Sequence, residues 1–470
     1  MDNIKETDRI LIQQLLQARE MRLQQKLDMV NGGYHLVSLQ LNIPGLPKSN
    51  EVLLRFIQRV DEAFQLFFKS RNVLSSWTEK HSLSDLAGDA VMYLFKKAAI
   101  SPVELKQLTE AFESHFALGR IVDLDVLSAD GQPISSGKAK KCFVCSEAAE
   151  VCRKTNRHSI EQVRDAMLSA IEKDLKLVEA KRVITKVSAY AVNALLLEVS
   201  LSPKPGLVCR NSSGAHSDMD FITFLNSVAV LSPVFLEIGQ LASNTVSGDV
   251  SKALPQIREI GLRMEKEMTL ATQGVNTHKG AIFLLAISCF SAVHVILNTG
   301  QYKAGAFASV LQQLTNGMVQ RELCVVNEAM DLSHGQKCFL RYGLQGAGAR
   351  GEAEQGLPTV LHEALPYLNR VRKDCLYGMS DKALQSILIP VLLKIMTVNN
   401  DTNVLYRHNQ QVLGLVKQKA AEALCAWEIG REEEYLKLVE WCNKEKISSG
   451  GSADLLALTI MIHFVQTEFS

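Results

Sequence analysis

Aromatic residues are scarce in this chain, at 6% of 470 residues, and neither sign of charge prevails: 51 lysines and arginines face 50 aspartates and glutamates. With a formal charge of +1 there is no electrostatic footprint for a phosphate backbone, so no nucleic-acid partner is expected. Few aromatics among 47% hydrophobic residues point to Leu/Ala-rich helical packing. The opening stretch MDNIKETDRILIQQLL lacks the basic region and unbroken apolar run of an export signal. Ten cysteines spread over the chain, with only three clustered, make a poor disulfide scaffold, and a cytoplasmic location is expected. The nearest approach to a membrane span is GAIFLLAISCFSAVHVIL (280–297), which contains Ser288, Ser291 and His294. A central helix in a large helical core accounts for it better, and no membrane partner is expected.

At 52.0 kDa the chain is long enough for more than one core. Residues 8–29 read as a helix with Ile10, Leu11, Leu15, Leu16, Met21 and Leu23 as its apolar positions. YHLVSLQLNIPG alternates like a strand and stops at Pro44-Gly45, and a helix follows from about 50 to 69. LGRIVDLDVLS (118–128) is a second strand, closed by the turn residues SADGQP, and a further helix covers about 159 to 180. Beyond 181 the character changes. Segments from 183–200 to 452–467 favour helix, one of them spanning 304–330, with short Gly- and Asn-containing breaks and no series of strands. The expected architecture is two domains: residues 1–180, α+β with a nucleotidyltransferase-like arrangement as one form it could take, and residues 181–470, all-α.

Side chains two apart in a strand share a face, so Asp123 and Asp125 converge while Val122, Leu124 and Val126 turn to the core. Paired carboxylates repel unless a cation joins them, and Mg²⁺ suits carboxylate and phosphate oxygen together. The plainer alternative is a solvated strand end. Arg120, after Gly119, is a candidate phosphate contact. KKCFVCSEAAEVCRKTNRH sets Cys142, Cys145, Cys152 and His158 in a C-x2-C-x6-C-x5-H array, a donor set for structural Zn²⁺ or, more plainly, small thiols of a core.

Through LLQAREMRLQQKLDM (15–29), LNIPG (41–45), LGRIVDLDV (118–126) and KCFVCSEAAEVC (141–152), residues 1 to about 175 resemble the holo-citrate-lyase synthase family, the apo-citrate lyase phosphoribosyl-dephospho-CoA transferases. The resemblance implies transfer of a phosphoribosyl-dephospho-CoA group from a triphosphate precursor to a serine of the citrate lyase acyl-carrier (gamma) subunit, releasing pyrophosphate. It implies Asp123 and Asp125 as Mg²⁺ ligands, with Arg19 and Arg120 on phosphate. Family members often carry arginine soon after the aspartate strand, where this chain reads PISSGKAKK; Lys138, Lys140 and Lys141 are the candidate substitutes.

In the second region, polar Gly-punctuated joints separate the apolar helices. LLLEVSLSPKPGLVCRNSSGAHSDM brings Lys204, Arg210, His216 and Asp218; TQGVNTHKGAI brings Asn276, His278 and Lys279 before a helix start that could hold phosphate. GAGARGEAEQGLPTV, read as a flexible polar loop, offers Arg350, Glu352 and Glu354; NNDTNVLYRH has Asp401 and Asn403, and ISSGGSADLL has Asp454. Gathered at one end of a bundle, these joints suit a metal-bound nucleotide; singly, each reads as ordinary helix capping. In the order EVSLSPKPGLV, GAHSDM, GVNTHKG, GARGEAE, DTNV, GGSADLL they resemble the triphosphoribosyl-dephospho-CoA synthase family across 185–468. That implies a reaction of ATP with 3′-dephospho-CoA, releasing adenine and forming the triphosphate that the first domain consumes. Asp218, Glu352, Asp401 and Asp454 are the carboxylate candidates, with Asp218, Asp401 and Asp454 as metal ligands. His278 is the candidate for orienting substrate or accepting a proton. Lys204, Lys279 and Arg350 are the phosphate candidates, with Arg210, Asn276 and Asn403 as further nucleotide contacts. Cys209 stands where the family commonly has aspartate, and the Gly-Ala loop is two residues longer. Two rival functions remain: a hydrolase of the N-glycosidic bond of ATP or ADP-ribose, and a carrier-binding scaffold with a decayed synthase domain, which Cys209 favours.

Overall fold

In the computed structural model of the chain, residues 6–31, 33–73, 77–135, 140–145, 147–246, 248–324, 332–372 and 374–470 are described, with side chains from Ile10 onward. They form two compact units, Met1–Val178 and Glu179–Ser470.

The N-terminal unit runs α1 (Glu6–Val30), β1 (Tyr34–Leu41), α2 (Glu51–Ser70), β2 (Trp77–Asp85), β3 (Gly88–Lys96), α3 (Pro102–His115), β4 (Val122–Leu127), β5 (Pro133–Ile134), α4 (Ala149–Lys154) and the start of α5 (Ile160–Ser200). Its strands form one antiparallel sheet in the order β2-β3-β1-β4-β5, so the unit is α+β. On one face Val37, Leu39, Tyr93, Phe95, Val122, Leu124 and Val126 pack with Phe56, Phe64, Phe68 and Phe112 of α2 and α3. This core is aromatic-rich despite the chain's low aromatic content. α2 forms because Asn50 accepts a hydrogen bond from the Leu53 N–H and because Leu53, Phe56, Ile57, Val60, Phe64 and Phe68 recur on one side. Each such buried side chain contributes about 1.5–3 kcal/mol, which makes this the unit's main stabilising face.

α1 covers the other sheet face, where the core is small: Val30, Leu36, Met92, Leu94 and Leu127. The predicted apolar positions of this helix do not form the contact. Ile10, Leu11, Leu16, Met21 and Leu23 are exposed, whereas Arg22, Lys26 and Val30 are buried. The cause is electrostatic, since this side of the sheet presents Gln40, Asp125 and Asp85, the last residue of β2, to the two cations.

The C-terminal unit takes the rest of α5 and adds α6 (Phe221–Asn244), α7 (Leu254–Ala271), α8 (Lys279–Thr299), α9 (Ala304–Thr315), α10 (Met318–Leu323), α11 (His334–Tyr342), α12 (Gly348–Glu354), α13 (Leu365–Val371), α14 (Asp381–Val398), α15 (Thr402–Arg407), α16 (Gln410–Glu428), α17 (Glu433–Lys444) and α18 (Gly450–Phe469). Among the described residues, three helices, α5, α6 and α8, are long and apolar enough to cross a membrane by length and composition. The apolar window of α8 is 83% buried by the protein itself, against α6, α7, α9 and α18, so it is the central helix of this core. Two expectations change. The segment from 304 breaks at Gly317, which takes φ +67°, into α9 and α10, and its residues 325–330 lie outside the described ones. GARGEAE is not a loop but helix α12, seated through buried Gly351 and Ala353.

Candidate active sites

β4 alternates as its sequence requires, sending Val122, Leu124 and Val126 into the aromatic core and Asp123 and Asp125 to the α1 side. The β1 register sets Gln40 opposite Asp123 and Ser38 opposite Asp125. Gln40 Nε2 donates to Asp125 Oδ2 at 3.1 Å, and its Oε1 accepts from Arg22 Nη1 at 3.0 Å. Arg22 also donates to Asp85 from Nε (3.1 Å) and Nη2 (2.5 Å) and to the Gly88 carbonyl. A buried guanidinium is costly unless so satisfied, and Arg22 therefore holds Gln40 in place. Lys26 is less well matched: burial lowers its pKa and Asp125 stands 3.8 Å away.

Beside these groups lies a cavity of about 310 Å³, lined by Arg19, Arg22, Lys26, Lys48, Gln40 and Asp123 among others. Burial, then Arg19 and Arg164, lower the pKa of Lys48, whose ammonium donates to the Ile43 carbonyl. Four cations against one carboxylate on the wall fit a polyanion, and the half-exposed Asp123 and Asp125 at its side fit the cation that accompanies one. Arg19 is thus at this site. Arg120 is not a lining residue; its Nε donates to the Lys141 carbonyl. Lys140 bonds Asp123 at 2.5 Å, and Lys138 lies outside the described residues. Arg22, Lys26, Lys48 and Gln40 escaped the sequence reading, although Arg19, Arg22 and Lys26 stand at one-face helical spacing.

The ligand atoms of Cys142, Cys145, Cys152 and His158 all lie within 4.8 Å of one another and could hold a metal ion. A short hairpin presents the first pair, with Cys142 N–H on the Glu147 carbonyl (2.5 Å) and Ala149 N–H on the Lys140 carbonyl (2.9 Å). Burial pushes the Cys142 thiol up, but hydrogen bonds from the Cys145 and Val144 N–H groups and the neighbouring thiols outweigh it and the net shift is downward. His158 Nε2 is buried without a partner. Three thiols and an imidazole make a tetrahedral soft-ligand set.

In the C-terminal unit, Glu198 at the end of α5 and Lys204 in the following loop form a buried ion pair. The loop is held by Tyr435, whose hydroxyl donates to the Pro203 carbonyl, and by Gly206. At φ +63° a Cβ on Gly206 would lie 1.7 Å from the Ile447 carbonyl oxygen. Gly206→Ala is therefore expected to destabilise this unit by about 2–4 kcal/mol, a drop of roughly 4–16 °C in its thermal midpoint. An unchanged midpoint in calorimetry would mean the loop is not held against Ile447.

Asp401 joins two helix starts. Its Oδ1 accepts from the Asn403 N–H at 3.0 Å, and its Oδ2 from the Ser452 N–H at 2.7 Å and hydroxyl at 3.0 Å. Asp454, near the start of α18, lies so close to the start of α8 that a Cβ on Gly280 would meet its Oδ2 at 2.0 Å. Burial, then Glu198 and Asp401, push Asp454 well above the usual carboxylate range. Burial and Lys204 hold His278 down at about 3, so its ring is neutral. Its Nδ1 shares a 2.7 Å hydrogen bond with Ser227, and its Nε2 is buried without a partner. Glu198, Asp401 and Asp454 thus interact as a cluster in which one buried ammonium, Lys204, pairs with Glu198 alone, an excess of carboxylate that calls for a proton or a cation. Glu198 and Ser227 were not singled out from sequence; the spacing from Glu198 to Lys204 across a Pro-rich turn was the available signal.

The other candidates are placed as follows. His216 Nε2 hydrogen-bonds Ser448 Oγ at 2.9 Å and its Nδ1 is 3.8 Å from the exposed Asp218, near the start of α18. Asn403 lies against Gly450. Asn276 Oδ1 accepts the Lys279 N–H at 3.1 Å, a capping role, while Lys279 Nζ pairs with Glu265 at 2.9 Å. Arg210 forks onto Asp381 at the surface. Arg350 pairs with Glu322, Glu352 binds the Thr359 N–H and hydroxyl, and Glu354 accepts from the Val319 N–H. All three charged groups are thus paired around α12, whose Gly348 lies against Thr402. Cys209 is buried under the loop, its sulfur accepting from Ser202 Oγ at 3.4 Å.

A cationic cavity flanked by paired carboxylates, and separately a buried carboxylate cluster at converging helix starts, make this a chain of two nucleotide-handling transferase units. Residues 10–174 match CitX, apo-citrate lyase phosphoribosyl-dephospho-CoA transferase, and residues 184–470 match CitG, ATP:dephospho-CoA triphosphoribosyl transferase. The chain belongs to the family in which these two enzymes are fused. It is 30% identical to protein CitXG of Haemophilus influenzae, over 97% of this chain and 96% of that protein, and 30% identical to protein CitXG of Leuconostoc mesenteroides subsp. cremoris, over 98% of each. The 2-(5''-triphosphoribosyl)-3'-dephosphocoenzyme-A synthase of Pectobacterium atrosepticum is 36% identical over 59% of this chain and 88% of its own length. The chain is accordingly a bifunctional transferase of prosthetic-group biosynthesis, and its acceptor partner is the citrate lyase acyl-carrier subunit.

Proposed function

We propose that the C-terminal unit divides its reaction among Asp454, Glu198, Asp401 and His278. The 2′-hydroxyl oxygen of 3′-dephospho-CoA bonds C1′ of the ATP ribose, the bond from C1′ to adenine breaks, and Asp454 takes the hydroxyl proton, which balances on departing adenine. Glu198 and Asp401 offset the positive charge developing at the sugar carbon, and neutral His278 orients the substrate through Nε2. The observation that carries this reading is the excess of buried carboxylate around Asp454. That excess also fits Mg²⁺ accompanying the triphosphate, which Asp401 would hold while Asp454 stays free to take the proton.

In the N-terminal unit Asp123 and Asp125 hold the magnesium of the incoming triphosphate while Arg19, Lys26 and Lys48 grip its oxygens. Magnesium, when bound, neutralises charge on the phosphoryl group and the leaving pyrophosphate. The carrier serine oxygen bonds the phosphorus next to the ribose, the bond to pyrophosphate breaks, and the serine proton leaves with the pyrophosphate. Both reactions are placed in the cytoplasm. The Cys142, Cys145, Cys152 and His158 set holds structural zinc, and elemental analysis of the purified chain is expected to find about one zinc per chain; metal-free protein prepared without chelators would return these residues to ordinary packing.

Adenine release, followed by chromatography, is expected to depend on 3′-dephospho-CoA. Adenine formed with ATP alone, together with free ribose 5-triphosphate, would instead identify an N-glycosidic hydrolase.

A further inference from the structure

Asp123 is half-exposed at the mouth of the transfer site, and the charged group bonded to it is Lys140, at 2.5 Å. Lys140 does not come from the elements that line the cavity. It opens the metal-binding hairpin, two residues before Cys142, with its backbone carbonyl fixed by the Ala149 N–H. A second tie runs from Arg120, three residues before Asp123, to the Lys141 carbonyl. Among the described residues from 140 to 158, only Cys142 and Cys152 are buried, so the hairpin has almost no apolar core. Two small thiols and the partly buried Phe143, which packs against the aromatic core, are little to offset the ordering of such a segment, and a metal–ligand set can supply the rest.

We infer that the Cys/His hairpin acts as an arm of the transfer site, holding Lys140 on Asp123 in the free enzyme and delivering it to a phosphate oxygen of the triphosphate substrate. This rests on the reading of the cluster as a zinc site. The exchange follows from charge: once the metal of the substrate occupies Asp123, the carboxylate is neutralised and the lysine's preferred counter-charge is the adjacent phosphate. The Lys140 side chain is 42% exposed, so a substrate can reach it. Zinc there is structural in chemistry and positioning in effect, because it fixes the backbone from which Lys140 reaches out.

The experiment uses the full-length chain, preformed triphosphate precursor and apo carrier subunit, with kcat and KM of transfer, zinc content and thermal unfolding read for each variant. Lys140→Ala is expected to keep its zinc and lower kcat/KM about 10- to 100-fold, below the roughly 10²–10³-fold effect of a buried donor because Lys140 is half-exposed. Lys140→Arg should recover most of the loss, and Lys154→Ala, removing a surface cation paired with Glu150, should leave transfer unchanged. Cys145→Ser is expected to lose zinc and fall to the level of Lys140→Ala, and the double variant should fall no further, since both changes remove the same contact. Wild-type transfer by zinc-bearing Lys140→Ala, or multiplicative losses in the double variant, would overturn the inference and leave the zinc reading standing. A zinc-free wild-type chain would remove the zinc reading itself. Lys140→Ala needs no disruption of the hairpin, so its result stands even where Cys145→Ser unfolds.

Discussion

Asparagine in place of either Asp123 or Asp125 is expected to lower transfer to the carrier subunit by about 10²–10³-fold while leaving adenine release at the wild-type rate. The substitution keeps the size of the side chain and most of its hydrogen bonding, including the Gln40 contact to Asp125, and removes one charge. Two half-exposed carboxylates on one strand face contribute nothing to the aromatic core on the opposite side, so the fold should be indifferent. Magnesium would be held more weakly and the charge on departing pyrophosphate less well offset. The synthase residues lie beyond 197, in the other compact unit, which is why adenine release is untouched. The check is the intact mass of the carrier subunit after incubation with preformed triphosphate precursor. Near-normal modification by both variants would reduce the pair to a solvated strand end.

The second large effect is expected at Asp454. Replacing it with asparagine should slow adenine release about 10²–10⁴-fold, the range that a positioned proton acceptor supplies, with transfer from preformed precursor unchanged. Its pH dependence follows from the direction of the shift. Burial, then Glu198 and Asp401, raise the Asp454 pKa, so wild-type kcat should decline as pH falls through that raised value and the acceptor becomes protonated. Stability runs the other way. Above the ordinary carboxylate value the unfolded chain has released this proton while the folded chain still holds it, so stability falls as pH rises toward the folded pKa. Asp454→Asn is therefore expected to be inactive yet no less stable than wild type at neutral pH, a separation that chromatography and thermal unfolding together can read. A variant that retains adenine release would move the proton acceptor to Glu198 or Asp401.

What could be read from sequence was the chemistry that one element carries alone. The Asp-x-Asp pair follows from strand alternation, and the Cys/His set is local enough for its spacing to predict proximity. The order of polar joints in the second region marked the helix starts at His278, Asp401 and Asp454, but not which charges would turn inward. The loop reading of GARGEAE fails because α12 is a packed helix, in which Arg350 pairs with Glu322 and Glu352 with Thr359. Glu198 becomes a site residue only when α5 ends beside Lys204. In the N-terminal unit the cavity draws Arg19, Arg22 and Lys26 from α1 and Lys48 from the loop after β1, a convergence that no single window contains. α1 misled for a physical reason: its apolar residues outnumber its cations, yet the sheet face beneath it is carboxylate-bearing, so the cationic side is the one buried. The β2–β3 hairpin was missed because β2 is an exposed edge strand, WTEKHSLSD, with no apolar alternation to announce it.

The claim that both sites work in sequence on one prosthetic group is tested most directly by one mass measurement. Apo acyl-carrier subunit is incubated with the full-length chain, ATP, 3′-dephospho-CoA and magnesium, and its intact mass is followed alongside adenine and pyrophosphate. The predicted result is a carrier heavier by one phosphoribosyl-dephospho-CoA group, with pyrophosphate formed in the amount of carrier modified and adenine in at least that amount. Adenine accumulating over an unmodified carrier, with ribose 5-triphosphate in solution, would contradict it.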